Sequence, residues 1–199
     1  MIKIITGMIL AGGLSKRMGT PKMLLPWGQT TVLGQVISTF AAAGLQDILI
    51  VTGGAYKDVE AEITRLSQKF PVRFVHNPFY ESGEMLSSFQ SGLASIGTQA
   101  QFVLVGLGDQ PQLSLDAVQS VLSAGTISPA RVVVPSFNFR RGHPWLVHRD
   151  YWSQILALLP PQTLRDFLNA NSEEILYVDA DQTVLKDLDT PEEYLRDKP

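Results

Sequence analysis

Short apolar runs alternate along this chain with longer stretches in which apolar positions recur every three or four residues. The runs have the length and composition of strands buried on both faces, and the longer stretches have the period of amphipathic helices. Residues 6–10 read as a first strand. Residues 31–43 read as a helix, with Val32, Val36, Ile37 and Phe40 on one side and Gly44 as its stop. Residues 47–52 form a second strand, 56–70 a charged helix and 72–76 a third strand. Residues 84–96 follow as a helix that places Met85, Leu86, Phe89 and Leu93 together. A fourth strand over 102–107, a helix over 115–122 and a strand over 131–135 continue the pattern. The alternation then ends. Residues 136–147 read as a hairpin or extended excursion over the sheet. Two short helices (151–159 and 163–171), a strand (175–178) and a terminal helix (191–197) capped by Thr190 or Asp189 follow.

Strands alternating with helices predict an α/β fold with a mostly parallel sheet. No repeat, low-complexity tract or linker divides the 199 residues, so a single domain over 1–199 is expected. At 45% hydrophobic residues the chain can build a core. A net charge of −3 argues against nucleic acid as partner, because phosphate backbones recruit basic surfaces. The chain has no cysteine, which excludes disulfides and thiolate metal sites and fits the cytoplasm. No apolar run reaches the roughly 18 residues of a membrane span, so no membrane partner is expected.

The densest chemistry lies in LAGGLSKRMGTPK, Leu10 to Lys22, directly after the first strand. Gly12, Gly13 and Gly19 share this loop with Lys16, Arg17 and Lys22. Glycines let backbone amides approach a ligand closely, and amides with fixed cations make a phosphate site. The order matches neither the Walker loop nor G-x-G-x-x-G. Arg17 offers a planar fork for phosphate oxygens. Lys22, stiffened by Pro21, offers a point charge for an α-phosphate. The rival view is a plain glycine-rich connection with solvated lysines.

Asp109, in GLGDQP, falls just past the end of the fourth strand, the sheet edge where α/β proteins bind ligands. A carboxylate there, facing a phosphate loop, suits Mg²⁺, although Gly-Asp and Pro also favour simple turns. Ser87 and Ser88, with Gln90, could hydrogen-bond a base or ribose or form a solvated helix face. In RRGHPWLV, His143 stands in a constrained turn, and Arg140 and Arg141 could meet an anionic acceptor or be surface charge. Asp187 and Asp189 precede the terminal helix, where a carboxylate caps the helix or supplies a second metal ligand.

These segments, LAGGLSKRMGTPKMLLPWG, GDQP, GHP and DLDTPEEY in this order, resemble the molybdenum-cofactor nucleotidyltransferases over nearly the whole chain. GDQP, RGHP and SGEMLSSFQSGL are similar to the branch that uses CTP, whereas the paired glycines of LAGG are closer to the branch that uses GTP. Arg165 is kept from a segment whose usual glycines are missing here. The resemblance implies a three-layer α/β/α sandwich of nucleotidyltransferase type. It implies nucleotide contacts on Leu10, Ala11, Gly12, Gly13, Ser15, Arg17 and Lys22, with Ser87 and Ser88 as candidates for base or ribose. It implies Mg²⁺ on Asp109 with Asp187 or Asp189, catalysis by Lys22, Arg17 and Asp109, and an acceptor over His143 and Arg141. The expected substrates are a nucleoside triphosphate and a molybdopterin-type phosphate, and a molybdoenzyme or its chaperone is a possible partner. Rival expectations are a guanylyltransferase or a sugar- or polyol-phosphate nucleotidyltransferase, and a non-catalytic molybdopterin carrier. The missing G-x-G-x-x-G counts against a nicotinamide-dependent oxidoreductase.

Overall fold

The computed structural model describes residues 3–15, 18–82 and 84–199. Its strands are β1 (Ile5–Ala11), β2 (Pro26–Trp27), β3 (Thr30–Thr31), β4 (Ile48–Thr52), β5 (Val72–His76) and β6 (Phe102–Leu107). The later ones are β7 (Val132–Phe137), β8 (Arg140–Arg141), β9 (Trp145–His148) and β10 (Ile175–Asp179). The helices are α1 (Val32–Ala42), α2 (Tyr56–Leu66), α3 (Glu84–Ala94) and α4 (Leu115–Ile127), then α5 (Trp152–Leu156), α6 (Leu164–Ala170) and α7 (Pro191–Asp197). The main sheet runs β10-β7-β9-β6-β1-β4-β5, with β8 paired to β7, while β2 and β3 form a separate small hairpin. β6, β1, β4 and β5 are mutually parallel, as are β7 and β10. Among the described strands of the main sheet, only β8 and β9 run against their neighbours.

Side-chain alternation along the strands produces two cores. Ile9 and Ala11 of β1, with Phe102 and Leu104 of β6, face a cluster completed by α1, α2 and α4, around Leu33, Phe40, Ile63 and Val121. Met8 and Leu10, with Val103 and Val105, face the other cluster, completed by α3, α5 and α6 through Phe89, Ile155 and Phe167. The expected sheet flanked by helices is therefore present. Helix ends follow local chemistry: Thr31 caps α1 by accepting from the Gly34 amide at 3.0 Å, and Gly44 leaves that helix at φ +97°. Thr163 with Asp166, and Thr190 with Glu193, form capping boxes on α6 and α7.

One expectation needs correction. Of the two expectations for residues 136–147, the hairpin holds, since β8 and β9 both pair antiparallel with β7, and the excursion over the sheet does not. Trp145–His148 enters the sheet between β6 and β7 as an antiparallel strand. The reason is its apolar content, since Trp145, Leu146 and Val147 are all buried. The chain turns at Asn138 and Phe139, both at positive φ, pairs briefly as β8, and bulges at Gly142–Pro144 before resuming as β9. The bulge has no room for a side chain at Gly142, where a Cβ would lie 2.4 Å from the Val184 carbonyl oxygen. It thereby sets His143 at the edge where the parallel strands end.

Candidate nucleotide site

β1 lies at the switch point of the sheet, with β4 on one side and β6 on the other. The loops leaving β1 and β6 therefore open a crevice between them. Backbone bonds fix its walls. The Gly108 amide donates to the Leu10 carbonyl at 2.9 Å, and the Gly54 amide to the Gly12 carbonyl at 3.1 Å. The second contact demands glycine at position 53, where a Cβ would stand 2.5 Å from the Gly12 carbonyl oxygen and 2.7 Å from Tyr80 Cβ.

Lys22 begins a short 3-10 turn, Lys22–Leu24, after Pro21, and Met23 anchors that turn in the core. The Lys22 amide donates to Ser15 Oγ at 3.1 Å, across a loop in which Ser15 and Gly19 both adopt positive φ. The Lys22 side chain is 11% exposed. Its ammonium donates to Asp109 through a very short contact and to Asp189 Oδ1 at 3.2 Å. Burial pulls the Lys22 pKa down, but Asp109 and then Asp189 outweigh it and hold the ammonium above its ordinary value. Thus the first loop, the β6 loop and the segment before α7 meet at one cation.

That last segment is fastened to the β6 loop at further points. The Leu188 amide donates to the Asp109 carbonyl at 3.0 Å, and Gln110 Nε2 donates to Asp187 Oδ1 at 2.7 Å. Burial of its carboxyl, then repulsion from Asp109, raise the Asp187 pKa, although part of the residue stays open to solvent. Among the described residues no three side chains converge as a ready-made metal centre. Asp187 is engaged by Gln110, whereas Asp109 and Asp189 both reach the same Nζ. Two hard oxygen donors around one cationic point, with a third carboxylate beside them, fit a cation such as Mg²⁺.

The other expected residues are distributed as follows. Arg17 lies outside the described residues. Leu10 and Ala11 are buried at the end of β1, while Gly13 is exposed. Ser88 abuts the loop, since a Cβ on Gly12 would be 3.0 Å from its Oγ. Ser87 and Ser88 are held by Asn77, whose Nδ2 donates to them at 2.9 and 3.1 Å. Gln90, grouped with these serines in the sequence, instead donates to the Ile155 and Leu158 carbonyls, tying α3 to α5. His143 stacks on Trp145 at 4.5 Å, its Nε2 is sealed from solvent without a partner, and burial lowers its pKa to about 4. Arg141 is exposed and donates to Tyr177 and Asn169. No described contact joins it to His143.

Asn77 is a residue that the sequence pattern does not disclose. It is fully buried and saturated: besides the two serines, Ser91 Oγ and the Phe79 amide donate to its Oδ1, at 3.1 and 2.9 Å. A single Asn after the third strand, followed by a serine-rich helix, is the signal that was available.

A glycine-and-lysine loop facing a carboxylate across the switch point of an α/β sheet defines a protein that handles nucleoside phosphates. The chain belongs to the family with the MobA-like NTP transferase domain, whose pattern matches residues 7–175, and it is an enzyme of the nucleotidyltransferase type. It is 30% identical over 190 residues to the molybdenum cofactor cytidylyltransferase of Escherichia coli K12, covering 96% of this chain and 93% of that protein. It is also 30% identical over 202 residues to the nicotine blue oxidoreductase of Paenarthrobacter nicotinovorans, covering 96% and 95%. Among solved structures, Rv0371c of Mycobacterium tuberculosis H37Rv superposes with a TM-score of 0.83 at 27% identity, over 98% and 97% of the two chains. The same protein has been solved in complex with manganese.

Proposed function

We propose that the protein moves a nucleoside monophosphate, CMP from CTP, onto the terminal phosphate of a molybdopterin-type acceptor and releases pyrophosphate. The observation that carries this reading is the convergence of Lys22, Asp109 and Asp189. In the proposed reaction a phosphate oxygen of the acceptor attacks the α-phosphorus in line, a bond to that oxygen forms, and the bond to the pyrophosphate oxygen breaks. The chain mainly positions two anions and neutralises charge. Lys22 stabilises the charge that builds on the α-phosphate. Arg17 has the fork to receive the departing pyrophosphate. Leu10 to Gly13 and Ser15 frame the triphosphate, and Ser87 and Ser88, aligned by Asn77, face the base or ribose. His143 and Arg141 serve the acceptor, with His143 neutral at physiological pH. Asp109 with Asp189, and Asp187 beside them, would hold Mg²⁺, which supplies charge neutralisation on the phosphates when bound.

CTP is favoured over GTP by GDQP and GHP and by the length of the match to the cytidylyltransferase. We place the reaction in the cytoplasm, ahead of a molybdoenzyme or its chaperone. The test is a thermal-shift panel of CTP, GTP, UTP and ATP with Mg²⁺, because a ligand bound by the native state alone raises stability. CTP should give the largest shift, and CTP plus molybdopterin should release pyrophosphate. A larger shift with GTP would move the assignment to the guanylyl branch, and acceptor binding without pyrophosphate release would make the protein a carrier. A second reading, as an oxidoreductase, rests on the relative from Paenarthrobacter. Adding NADH and NADPH to the panel tests it, and a shift with either would favour it.

A further inference from the structure

The side chain that should meet the triphosphate is already engaged. Lys22 Nζ sits between Asp109 and Asp189, the two carboxylates that together fit a divalent cation. A lysine ammonium is a compact point charge on a flexible stem, without the planar fork that would lock it to one carboxylate. Its backbone is fixed, because the Lys22 amide donates to Ser15 Oγ and the 3-10 turn is anchored by Met23. Only the stem has to swing. The Asp189 contact is the longer one, and that carboxylate is 37% exposed, so a small ion can approach from its side. The carbonyl of Asp109 is bonded to the Leu188 amide, which keeps the two carboxylates in place when the lysine leaves.

We propose that Lys22 and the divalent cation are rivals for the Asp109–Asp189 pair, so that Lys22 holds the two carboxylates until a cation displaces it and is then released to the α-phosphate. The inference rests on the nucleotidyltransferase reading for the destination of Lys22, but the rivalry itself needs no nucleotide. It has a consequence opposite to that of an ordinary helper residue. Removing Lys22 should strengthen cation binding by the nucleotide-free protein, even as it destroys turnover.

The test is a Mn²⁺ titration of the full chain without nucleotide, followed by calorimetry or by the spin signal of the free ion. Lys22→Met and Lys22→Gln should each bind Mn²⁺ about tenfold more tightly than wild type, since a buried positive charge no longer competes. Lys22→Gln keeps a donor for the carboxylates, which protects the fold if the methionine variant fails to fold. Lys22→Arg, which keeps the charge, should stay within about twofold of wild type. Asp189→Asn should weaken binding in wild-type and Lys22→Gln backgrounds alike. Equal or weaker binding by the two neutral variants, or tenfold tighter binding by Lys22→Arg, would overturn the rivalry. Neither result bears on which nucleotide is used, which the thermal-shift panel decides separately.

Discussion

Two ion pairs sit at opposite edges of the same sheet, and they are built differently. At the edge where the parallel strands begin, Arg73 grips Asp47 with two of its three nitrogens, Nε at 2.8 Å and Nη2 at 3.0 Å, while Thr6 Oγ1 donates to the same carboxylate at 2.9 Å. The remaining prong of Arg73 reaches the Ser95 carbonyl at 3.2 Å. One cation meets one anion, and the surplus donors are used locally. At the edge where the strands end, two carboxylates, Asp109 and Asp189, share Lys22, and Asp187, with a raised pKa, is held beside them by Gln110. The first arrangement is complete as it stands. In the second, one lysine is shared between two carboxylates of different loops, an arrangement that suits exchange with a cation more than it suits stability. A salt bridge that is locally saturated holds a fold, and one whose cation is shared between carboxylates at a sheet's carboxyl edge marks a site.

The largest effect should separate the two edges outright. Lys22→Ala and Asp109→Ala should each lower turnover at least about 100-fold, the usual cost of removing one preorganised charge contact, while circular dichroism stays native. Wild-type turnover in either variant would erase the distinction. Next comes Gly53→Ala. Its Cβ would run into the Gly12 carbonyl oxygen at 2.5 Å, with backbone on the opposing side. The loop must then shift, and CTP binding should weaken by roughly tenfold or more, a 1 Å displacement near chemistry being that costly. An unchanged CTP thermal shift would mean that the loop does not frame the triphosphate.

Much of this was legible in the chain. The helical period located the α-helices, and the short apolar runs located the long parallel strands, because burial dictates both; the two-residue strands β2, β3 and β8 left no such run. Pro191 and Thr190 fixed the bounds of α7 through capping chemistry that is local by nature. The insertion of β9 was not legible, because an apolar run of four residues has no direction until its neighbours supply one. Lys22 and Asp109 could be chosen by residue type and by their places after strands. The pairing of Lys22 with Asp189 could not, since it spans 167 positions and depends on how the segment before α7 returns across the β6 loop. Gln90 misled for the opposite reason: its amide suits a base as well as it suits the carbonyls at the end of α5. Asn77 left almost no trace, because a residue that works by saturating its own hydrogen bonds has no pattern to repeat.

His143 tests a third kind of buried polar group, a neutral one. Its pKa lies near 4 against an ordinary 6.5, with burial as the cause. The unfolded chain then binds a proton that the folded one refuses. The stability due to neutral His143 is full above pH 6.5 and is lost as pH falls from there toward 4, an effect on the order of 3 kcal/mol. His143→Phe keeps the stack on Trp145 and removes the unpartnered Nε2. Urea midpoints at pH 7 and pH 5 should diverge less in this variant than in wild type. Parallel slopes would show that the ring titrates as if in water.

The smallest effect belongs to the saturated pair, and its sign is the informative part. Burial alone would raise the Asp47 pKa, but Arg73 and then Thr6 draw it below the ordinary carboxylate value. A depressed carboxyl contributes stability that is present above the unfolded pKa near 4 and is lost as pH falls through the lower folded value. Asp47→Asn should therefore cost about 1 kcal/mol or less at pH 7, given that both partners are 41% exposed. Its stability should also fall less steeply than that of wild type below pH 4. Turnover at pH 7 should stay within about twofold of wild type, because Asp47 and Arg73 lie at the opposite edge of the sheet from the loops that leave β1 and β6. If turnover fell tenfold while the urea midpoint held, the two edges would be coupled, and local saturation would no longer tell a structural ion pair from a working one.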